Sequence, residues 1–304
     1  MNVLQSALLE NSKKIDIFFD SHLPNTINIH KKLIEAMRYS TIGLGKKMRG
    51  FLVIETGEML LKTNSIKFSE TLKKELIVVA SAVEALHSYS LIHDDLPAMD
   101  NSALRRGKKS THIKFGEATA ILAGDALQSW AFQLISDLNL ISDPRKSVDI
   151  LFNLSKSIGM FGMAGGQQAE IDSKINETSA NDVQWIQQKK TGCLIKCCAN
   201  LGAIIGMGSM KQKNSLLNYA ENLGLAFQIT DDILDLKGDS LKIGKPIKQD
   251  SFNETPNFVT LLGEEQAKKK SKEIIEKAID SIKFFGKNAK NLVLLARYVI
   301  EREF

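Results

Sequence analysis

The sequence is poor in the residues that interrupt helices or build disulfide frameworks. Its 304 positions include five prolines and three cysteines, and aromatic residues make up only 7%. Few prolines permit long helices, and an apolar fraction rich in leucine, isoleucine and alanine favours helix packing over a β-sandwich. With 43% hydrophobic residues, the chain can cover one large core. These features predict an all-α protein with a single domain over residues 1–304.

Targeting and membrane signals are also missing from the sequence. No run approaches the roughly 20 apolar residues of a membrane helix. The most apolar stretch, 199–210, is short and interrupted by glycine. The first residues carry acids early and lack the basic, apolar and small-residue order of a secretory signal. We therefore expect a cytoplasmic protein without stable membrane insertion.

Neither the charge nor the cysteines point to a nucleic-acid or disulfide protein. The net charge of +5 is spread along the chain, whereas nucleic-acid binders concentrate basic residues in a stripe. A mild basic excess also suits a small polyanionic substrate. Cys193, Cys197 and Cys198 are odd in number and lack a secretory context, which argues against disulfides. Buried thiols in a helix are expected in preference to a metal or redox pair.

Apolar residues recur at intervals of three and four along most of the chain, which is typical of buried or amphipathic helices. No strand-period run with hairpin chemistry is present. The periodicity predicts helices over 2–20, 27–39, 46–62, 70–95, 117–137, 145–160, 181–207, 213–236, 264–284 and 288–302.

A first acidic cluster, Asp94, Asp95 and Asp100, follows the nearly uncharged segment 76–92. Carboxylates at the end of a buried helix are costly, and the negative helix C-terminus adds to that cost. Divalent cations such as Mg²⁺ compensate them and leave coordination positions for phosphate oxygens and water. Pro97 ends the regular helix, so Asp100 can turn back toward Asp94.

A second cluster lies in the segment QITDDILD, also at the end of an apolar helix. Gln228, Asp231 and Asp235 are spaced i, i+3 and i+7 and share a helix face. One DDxxD alone also fits a solvated helix end, but two such clusters, each at the end of an apolar helix, favour a cation-binding site. If the two helices pack side by side, they form a cation-filled mouth above an apolar shaft. That arrangement suits a molecule with a diphosphate head and a hydrocarbon tail.

Basic residues near these clusters could bind the phosphates. Arginine binds phosphate bidentately, and a helix start adds backbone N–H groups and the helix dipole. Each basic residue alone also fits a solvated surface charge, and His87 also fits a buried structural histidine. The candidates are Arg105, Arg106, the stretch from Gly45 to Arg49, Lys190 with Thr191, and Lys245.

From about Met37 to the C-terminus, the sequence resembles the bacterial short-chain trans-prenyl diphosphate synthases, of the farnesyl diphosphate synthase type in the polyprenyl synthetase family. The resemblance rests on GLGKKMRG, EALHSYSLIHDDLPAMDNSALRRGKKSTH, KFGEATAILAGDAL, GMAGGQ, KKTG, GLAFQITDDILD and GDSLKIGK. It implies the isoprenoid synthase fold, a bundle of long helices around a deep central cavity, and a homodimer.

The resemblance also implies roles for individual residues. Three Mg²⁺ ions would bind Asp94, Asp100 and Asp231, with Asp95 and Asp235 supporting the clusters. The allylic diphosphate would contact Arg105, Lys190, Thr191, Gln228 and Lys245. The isopentenyl diphosphate would contact Lys46, Arg49, His87 and Arg106, with Gly45 at the same loop.

The implied reaction is ionisation of the allylic diphosphate, condensation with isopentenyl diphosphate, and loss of a proton. Tyr89 lies five residues before Asp94, about 7.5 Å deeper along the helix. An aromatic ring there, together with Pro97 and Ala98, goes with a C15 product in the resembling enzymes. Farnesyl diphosphate is therefore the expected product, with geranylgeranyl or geranyl diphosphate as the alternative.

The sequence departs from the family pattern in three places. Glu254 or Thr255 stands where a lysine is usual, GQxxD ends in Glu170, and Asn101 replaces a common acid. The first departure keeps a non-catalytic partner subunit among the alternatives. A terpene cyclase is a further alternative, although it needs no second diphosphate pocket.

Overall fold

The computed structural model describes residues 2–23, 30–173, 178–237 and 257–301, and these residues are predominantly helical. The longer elements are α1 (Val3–His22), α2 (Lys31–Thr41), α3 (Met48–Thr63), α4 (Glu70–Asp94), α5 (Thr111–Phe115), α6 (Glu117–Ser136), α7 (Pro144–Ile158), α8 (Met163–Asp172), α9 (Ala180–Gln187), a π-helical turn (Gln188–Gly192), α10 (Cys193–Ile205), α11 (Met210–Lys237), α12 (Phe258–Leu262), α13 (Glu264–Ile282), a 3₁₀ segment (Lys283–Ala289) and α14 (Lys290–Glu301). A two-residue antiparallel hairpin, β1 (Leu104–Arg105) and β2 (Lys108–Lys109), connects α4 to α5.

The described residues divide into two compact units. The first contains those within Met1–Ile54 and Ser69–Leu151, and the second contains those within Glu55–Phe68, Phe152–Asp239 and Ile247–Phe304. Helices α3 and α7 contribute residues to both units. The first acidic cluster therefore belongs to the first unit and the second cluster to the second unit.

The core of the first unit is centred on α4, which packs on α6 and α1. Val79, Val83 and Leu86 of α4 are fully buried, as are Ala123 and Leu127 of α6. Small residues on α6 let the two helices approach closely. Each fully buried valine or leucine side chain contributes about 1.5–3 kcal/mol relative to an exposed one. This packing fixes the C-terminal end of α4, where Asp94 is located.

Helix α4 is also the one helix among the described residues that is long and apolar enough to cross a membrane. However, 72% of its apolar window is buried within the protein, as in the core helix of a globular domain. Its hydrophobicity is accounted for by its contacts with α6 and α1.

The core of the second unit is built around α11, which packs on α13, α10 and α14. Tyr219 of α11 is fully buried, and its hydroxyl donates to the Leu292 carbonyl at 2.7 Å. Cys197 and Cys198 are buried in α10, and Cys193 is half-buried. Burial raises the pKa of Cys197 to about 12. The interpretation of the cysteines as buried free thiols is confirmed for Cys197 and Cys198.

Most predicted helices are confirmed to within a few residues, but five features differ. The hairpin contradicts the expected absence of paired strands, because strands of two residues are too short to show a period of two. Helices α5, α8 and α12 have five to ten residues and also went unpredicted. The predicted helix 181–207 contains the π-helical turn.

Candidate active site

The turn after α4 brings the backbones of Asp94 and Asp100 together. Asp94 is the last residue of the helix, and the backbone N–H of Asp100 donates to the Asp94 carbonyl at 2.8 Å. The expected return of Asp100 toward Asp94 is confirmed. Both residues are half-buried, and their hard oxygen donors suit Mg²⁺.

Asp95 has a different environment from its two neighbours. Its side chain is 3% exposed and accepts hydrogen bonds from both Nε, at 2.9 Å, and Nη2 of Arg105. Burial raises the pKa of Asp95, and the bound Arg105 partly offsets this effect. Asp95 therefore attaches the hairpin residue Arg105 to the end of α4.

The aspartates of the second cluster on α11 have different environments. Asp232 is buried and accepts the backbone N–H of Phe258 at 2.9 Å, so it fixes the start of α12. Asp231 and Asp235 are half-buried one helical turn apart. Gln228 donates from its side-chain amide to Gln187 of α9.

Within the described ranges, no group of three or more His, Cys, Asp or Glu side chains is placed to hold a metal. The Asp94–Asp100 pair and the Asp231–Asp235 pair each supply two carboxylates. Each pair suits a hard cation that takes its remaining ligands from water or phosphate.

Positive charge is concentrated around His87 in the first unit. Arg49 Nη1 and His87 Nε2 are 3.0 Å apart. Loss of hydration, followed by the charges of Arg49, Arg106 and Arg105, lowers the pKa of His87 well below its ordinary value. The imidazole is therefore neutral near pH 7. Its Nε2 accepts a hydrogen bond from Arg49.

Arg106 belongs to the same group of cations. Loss of hydration and the charges of Arg49 and Arg105 lower the pKa of Arg106, although buried Glu84 opposes them. Glu84 also accepts the backbone N–H of Gly50 at 2.8 Å. Cations that destabilise one another form a site that binds an anion favourably.

Gly45 provides space for the Arg106 guanidinium. Its φ is +66°, and a Cβ there would lie 2.5 Å from Arg106 Cζ. A side chain at position 45 would therefore displace Arg106. Lys46 follows directly and is exposed.

Lys190 and Thr191 lie in the π-helical turn of the second unit. The Lys190 ammonium forms an ion pair with Glu170 of α8. Gly166, one turn earlier on α8, lies so close that a Cβ there would overlap the Lys190 backbone nitrogen. Because π turns are frequent at functional sites, the position of Lys190 and Thr191 in this turn makes them candidates for a functional role.

Tyr89 lies on α4 five residues before Asp94 and is half-buried. Burial raises its pKa, and its ring is edge-on to the His93 ring at 5.7 Å between centroids. His93 Nε2 lies 3.1 Å from the Ile121 carbonyl of α6. A Cβ at Gly124 would overlap the His93 ring. The sequence analysis did not predict the close contact between His93 and Gly124. The signals for this contact are the position of His93 directly before the acidic motif and the small residue Gly124 on the neighbouring helix α6.

Lys245, Glu254 and Thr255 lie outside the described residues. The predictions made for them remain expectations from the sequence.

We expect His87→Gln to change the pH dependence of stability. The folded protein holds a neutral imidazole, whereas the unfolded chain binds a proton as the pH falls past about 6.5. Stability is therefore fully present above that pH and decreases below it. Thermal unfolding from about pH 7.5 to about pH 5.5 should show a smaller decrease in Tm for the variant than for wild type. His30→Gln, at an exposed position, is the control, and equal decreases in all three proteins would contradict the assignment.

Comparison with known proteins places this site in a family. The polyprenyl synthetase family model matches residues 30–293. The farnesyl diphosphate synthase of Escherichia coli is 40% identical over 277 residues, covering 89% of each chain. The apo crystal structure of an FPP/GFPP synthase from Zymomonas mobilis has a TM-score of 0.85 and 33% identity, covering 98% of each chain.

A geranyltransferase from Helicobacter pylori, complexed with magnesium and isoprenyl diphosphate, has a TM-score of 0.80 and 25% identity, covering 99% of this chain and 97% of that one. The chain described here belongs to the polyprenyl synthetase family. Its all-α structure is the isoprenoid synthase fold.

Proposed function

We propose that the protein condenses isopentenyl diphosphate head-to-tail with dimethylallyl or geranyl diphosphate, giving farnesyl diphosphate and diphosphate. The observation that carries the proposal is the group of arginines around neutral His87 in the same unit as the Asp94–Asp100 turn. A cationic site beside a carboxylate pair suits two diphosphates, one bound directly and one through metal. The similarity to the Escherichia coli farnesyl diphosphate synthase supports the same reaction.

The proposed metal sites use both acidic clusters. Asp94 and Asp100 with Asp231 would hold Mg²⁺, three ions in all, and Asp95 and Asp235 would support them. The half-buried carboxylate pairs fit this cation, and the Helicobacter pylori relative contains magnesium with isoprenyl diphosphate. Bound Mg²⁺ would stabilise negative charge on the departing diphosphate. Because Asp95 binds Arg105, its proposed support acts through that arginine.

The proposed diphosphate contacts form two sets, one for each substrate. The allylic diphosphate would bind Arg105, Lys190, Thr191, Gln228 and Lys245. The isopentenyl diphosphate would bind at Gly45, Lys46, Arg49, His87 and Arg106. Arg49 and Arg106 provide planar guanidinium donors that suit phosphate oxygens, and Gly45 leaves the space that Arg106 occupies.

In the proposed reaction, the C–O bond of the allylic diphosphate breaks and leaves an allylic cation. The terminal alkene carbon of isopentenyl diphosphate forms the new C–C bond and leaves a tertiary cation on the neighbouring methyl-bearing carbon. The CH₂ group on the other side of that carbon then gives a proton to the released diphosphate, and its C–H electrons form the new C=C bond. Arg105 and Lys190 stabilise the charge that develops on the leaving group. No protein nucleophile takes part in these steps.

Alternative activities are separated by substrate use and product length. The Zymomonas mobilis relative is named for both FPP and GFPP synthesis, so a longer product is the main alternative, with geranyl diphosphate as a shorter one. A terpene cyclase would leave isopentenyl diphosphate unused. A non-catalytic partner subunit would show no activity alone.

We further propose that residues 1–304 act as one synthase domain in a cytoplasmic homodimer. One family model extends across residues from both units, which supports a single domain. The partners are small diphosphates, without nucleic acid or stable membrane insertion. The buried apolar face of α4 supports the last point.

The decisive experiment is chromatography of products made by the purified chain alone. Radiolabelled isopentenyl diphosphate is supplied with dimethylallyl or geranyl diphosphate, with and without Mg²⁺. The proposal predicts a C15 product that requires Mg²⁺. A product lacking label from isopentenyl diphosphate, or complete inactivity, would contradict it.

Replacing Tyr89 with alanine is expected to lengthen the product to C20 or beyond. The half-buried ring is the proposed floor of the chain cavity, and alanine would remove that floor. Tyr89→Phe keeps the ring and should still yield mainly C15, which makes it the matched control. Product chromatography checks both variants, and an unchanged C15 product from Tyr89→Ala would show that another residue limits chain length.

A further inference from the structure

Lys47 lies between two proposed diphosphate ligands, Lys46 and Arg49, but its ammonium group is buried. Its side chain is 3% exposed. Its Nζ donates to the Thr41 carbonyl at 2.7 Å and to the Leu44 carbonyl at 3.3 Å. The Lys47 ammonium therefore binds groups inside the protein and is not exposed at its surface.

The counterion of Lys47 comes from α1, a helix that precedes the recognisable motifs. Asp16 Oδ1 lies 3.0 Å from Lys47 Nζ and also accepts the backbone N–H of Gly43 at 3.0 Å. The Phe19 ring covers the ammonium at 5.6 Å. One carboxylate thus holds both ends of the loop 43–47 against α1.

This loop has an unusual backbone that requires such support. Gly43, Gly45 and Lys47 have φ values of +68°, +66° and +47°. Lys47 is the costly member of this series, because a left-handed conformation is unfavourable for residues with a Cβ. The ion pair with Asp16 offsets that cost and fixes the alternating conformation.

The loop in turn places the anion-binding groups of the first unit. Gly45 lies against the Arg106 guanidinium, and Lys46 projects from the next position. The loop is followed directly by Met48, the first residue of α3, and then by Arg49. A shift of the loop would therefore move three proposed ligands together, namely Arg106, Lys46 and Arg49.

We propose that Asp16 is a positioning residue for the isopentenyl diphosphate subsite, acting through Lys47 and the loop 43–47. The inference rests on the proposed function and adds a residue outside its recognised motifs. Asp16 contacts no substrate in this scheme.

The test compares Asp16→Asn with Asp20→Asn. Asp20 lies one turn further along α1, where its largely exposed carboxylate pairs with Arg38. We expect Asp16→Asn to raise KM for isopentenyl diphosphate about tenfold, with kcat and the allylic KM changed less than about twofold. Asp20→Asn should behave like wild type. An unchanged isopentenyl KM in Asp16→Asn would overturn the inference.

Two further variants separate positioning from direct binding and from misfolding. Asp16→Asn leaves a buried ammonium unpaired and can fail to fold, whereas Asp16→Asn with Lys47→Met removes both charges. If the two residues act through their pair, the double variant and Lys47→Met alone show similar isopentenyl KM values. A clearly higher KM in the double variant than in Lys47→Met, or a wild-type KM in the double variant, would contradict the inference.

Binding of inorganic diphosphate, measured by calorimetry without Mg²⁺, distinguishes this inference from the proposed function. The double variant should bind more weakly than wild type even if no isopentenyl unit is incorporated. Equal binding would overturn the positioning role, while inactivity of wild type would overturn the proposed reaction alone.

Discussion

Replacing Asp94 with asparagine is expected to lower kcat/KM by about a thousandfold while leaving the protein folded. Asp94 ends α4, and the Asp100 backbone folds back onto it, so the two carboxylates form the proposed metal pair. Removing one of them weakens the charge stabilisation of the leaving diphosphate. The half-saturating Mg²⁺ concentration should rise in parallel, which steady-state kinetics over a Mg²⁺ titration will measure.

The stability of the metal-free protein should change little. A carboxylate at a helix C-terminus opposes the helix dipole, but the Asp94 charge also attracts Arg105, so the free energy of unfolding of Asp94→Asn should lie within about 1 kcal/mol of the wild-type value. Asp20→Asn, at a largely exposed position in the last turn of α1, is the control for loss of a surface charge. Retained Mg²⁺-dependent activity in Asp94→Asn would exclude this residue from the metal site.

Replacing Gly166 with alanine is expected to reduce both stability and activity. The new Cβ would overlap the backbone of Lys190, and rotation of a side chain cannot relieve a contact with backbone. We expect the free energy of unfolding to fall by about 1–3 kcal/mol. Displacement of Lys190 and Thr191 should lower kcat/KM about a hundredfold.

The matched control is Ala164→Ser, which adds one atom to an exposed position of the same helix. Denaturant unfolding and initial rates are measured for both variants. A Gly166→Ala protein with wild-type kcat/KM would show that the close approach of α8 does not position the π-helical turn for catalysis.

The sequence predicted the long helices well because their apolar periodicity is set by burial against neighbouring helices. Helix α4 was predicted as 70–95 and is observed as Glu70–Asp94, and α13 was predicted as 264–284 and is observed as Glu264–Ile282. Short elements lack enough residues for a periodic pattern. The hairpin at 104–109 and the five-residue α5 were missed for that reason.

The acidic and basic motifs were predictable because their charges adjoin apolar segments, where isolated charge is costly. Their partners were not predictable in the same way. The pairs Asp16–Lys47 and Glu170–Lys190 join residues 31 and 20 positions apart, and nothing local in the sequence links them. Asp95 forms an ion pair with Arg105, whereas Asp94 is a proposed metal ligand. This difference likewise depends on where the hairpin places Arg105.

The π-helical turn at Gln188–Gly192 has a consequence for changes in chain length. A π turn takes up about one residue more than the α-helical turn it replaces. Deleting a single residue here could be absorbed as a regular turn, with the buried side of α10 still facing inward. The same deletion within α10 would rotate everything beyond it by about 100°. A deletion in the segment that carries Lys190 and Thr191 would therefore preserve the packing of α10 but displace these two proposed substrate-binding residues.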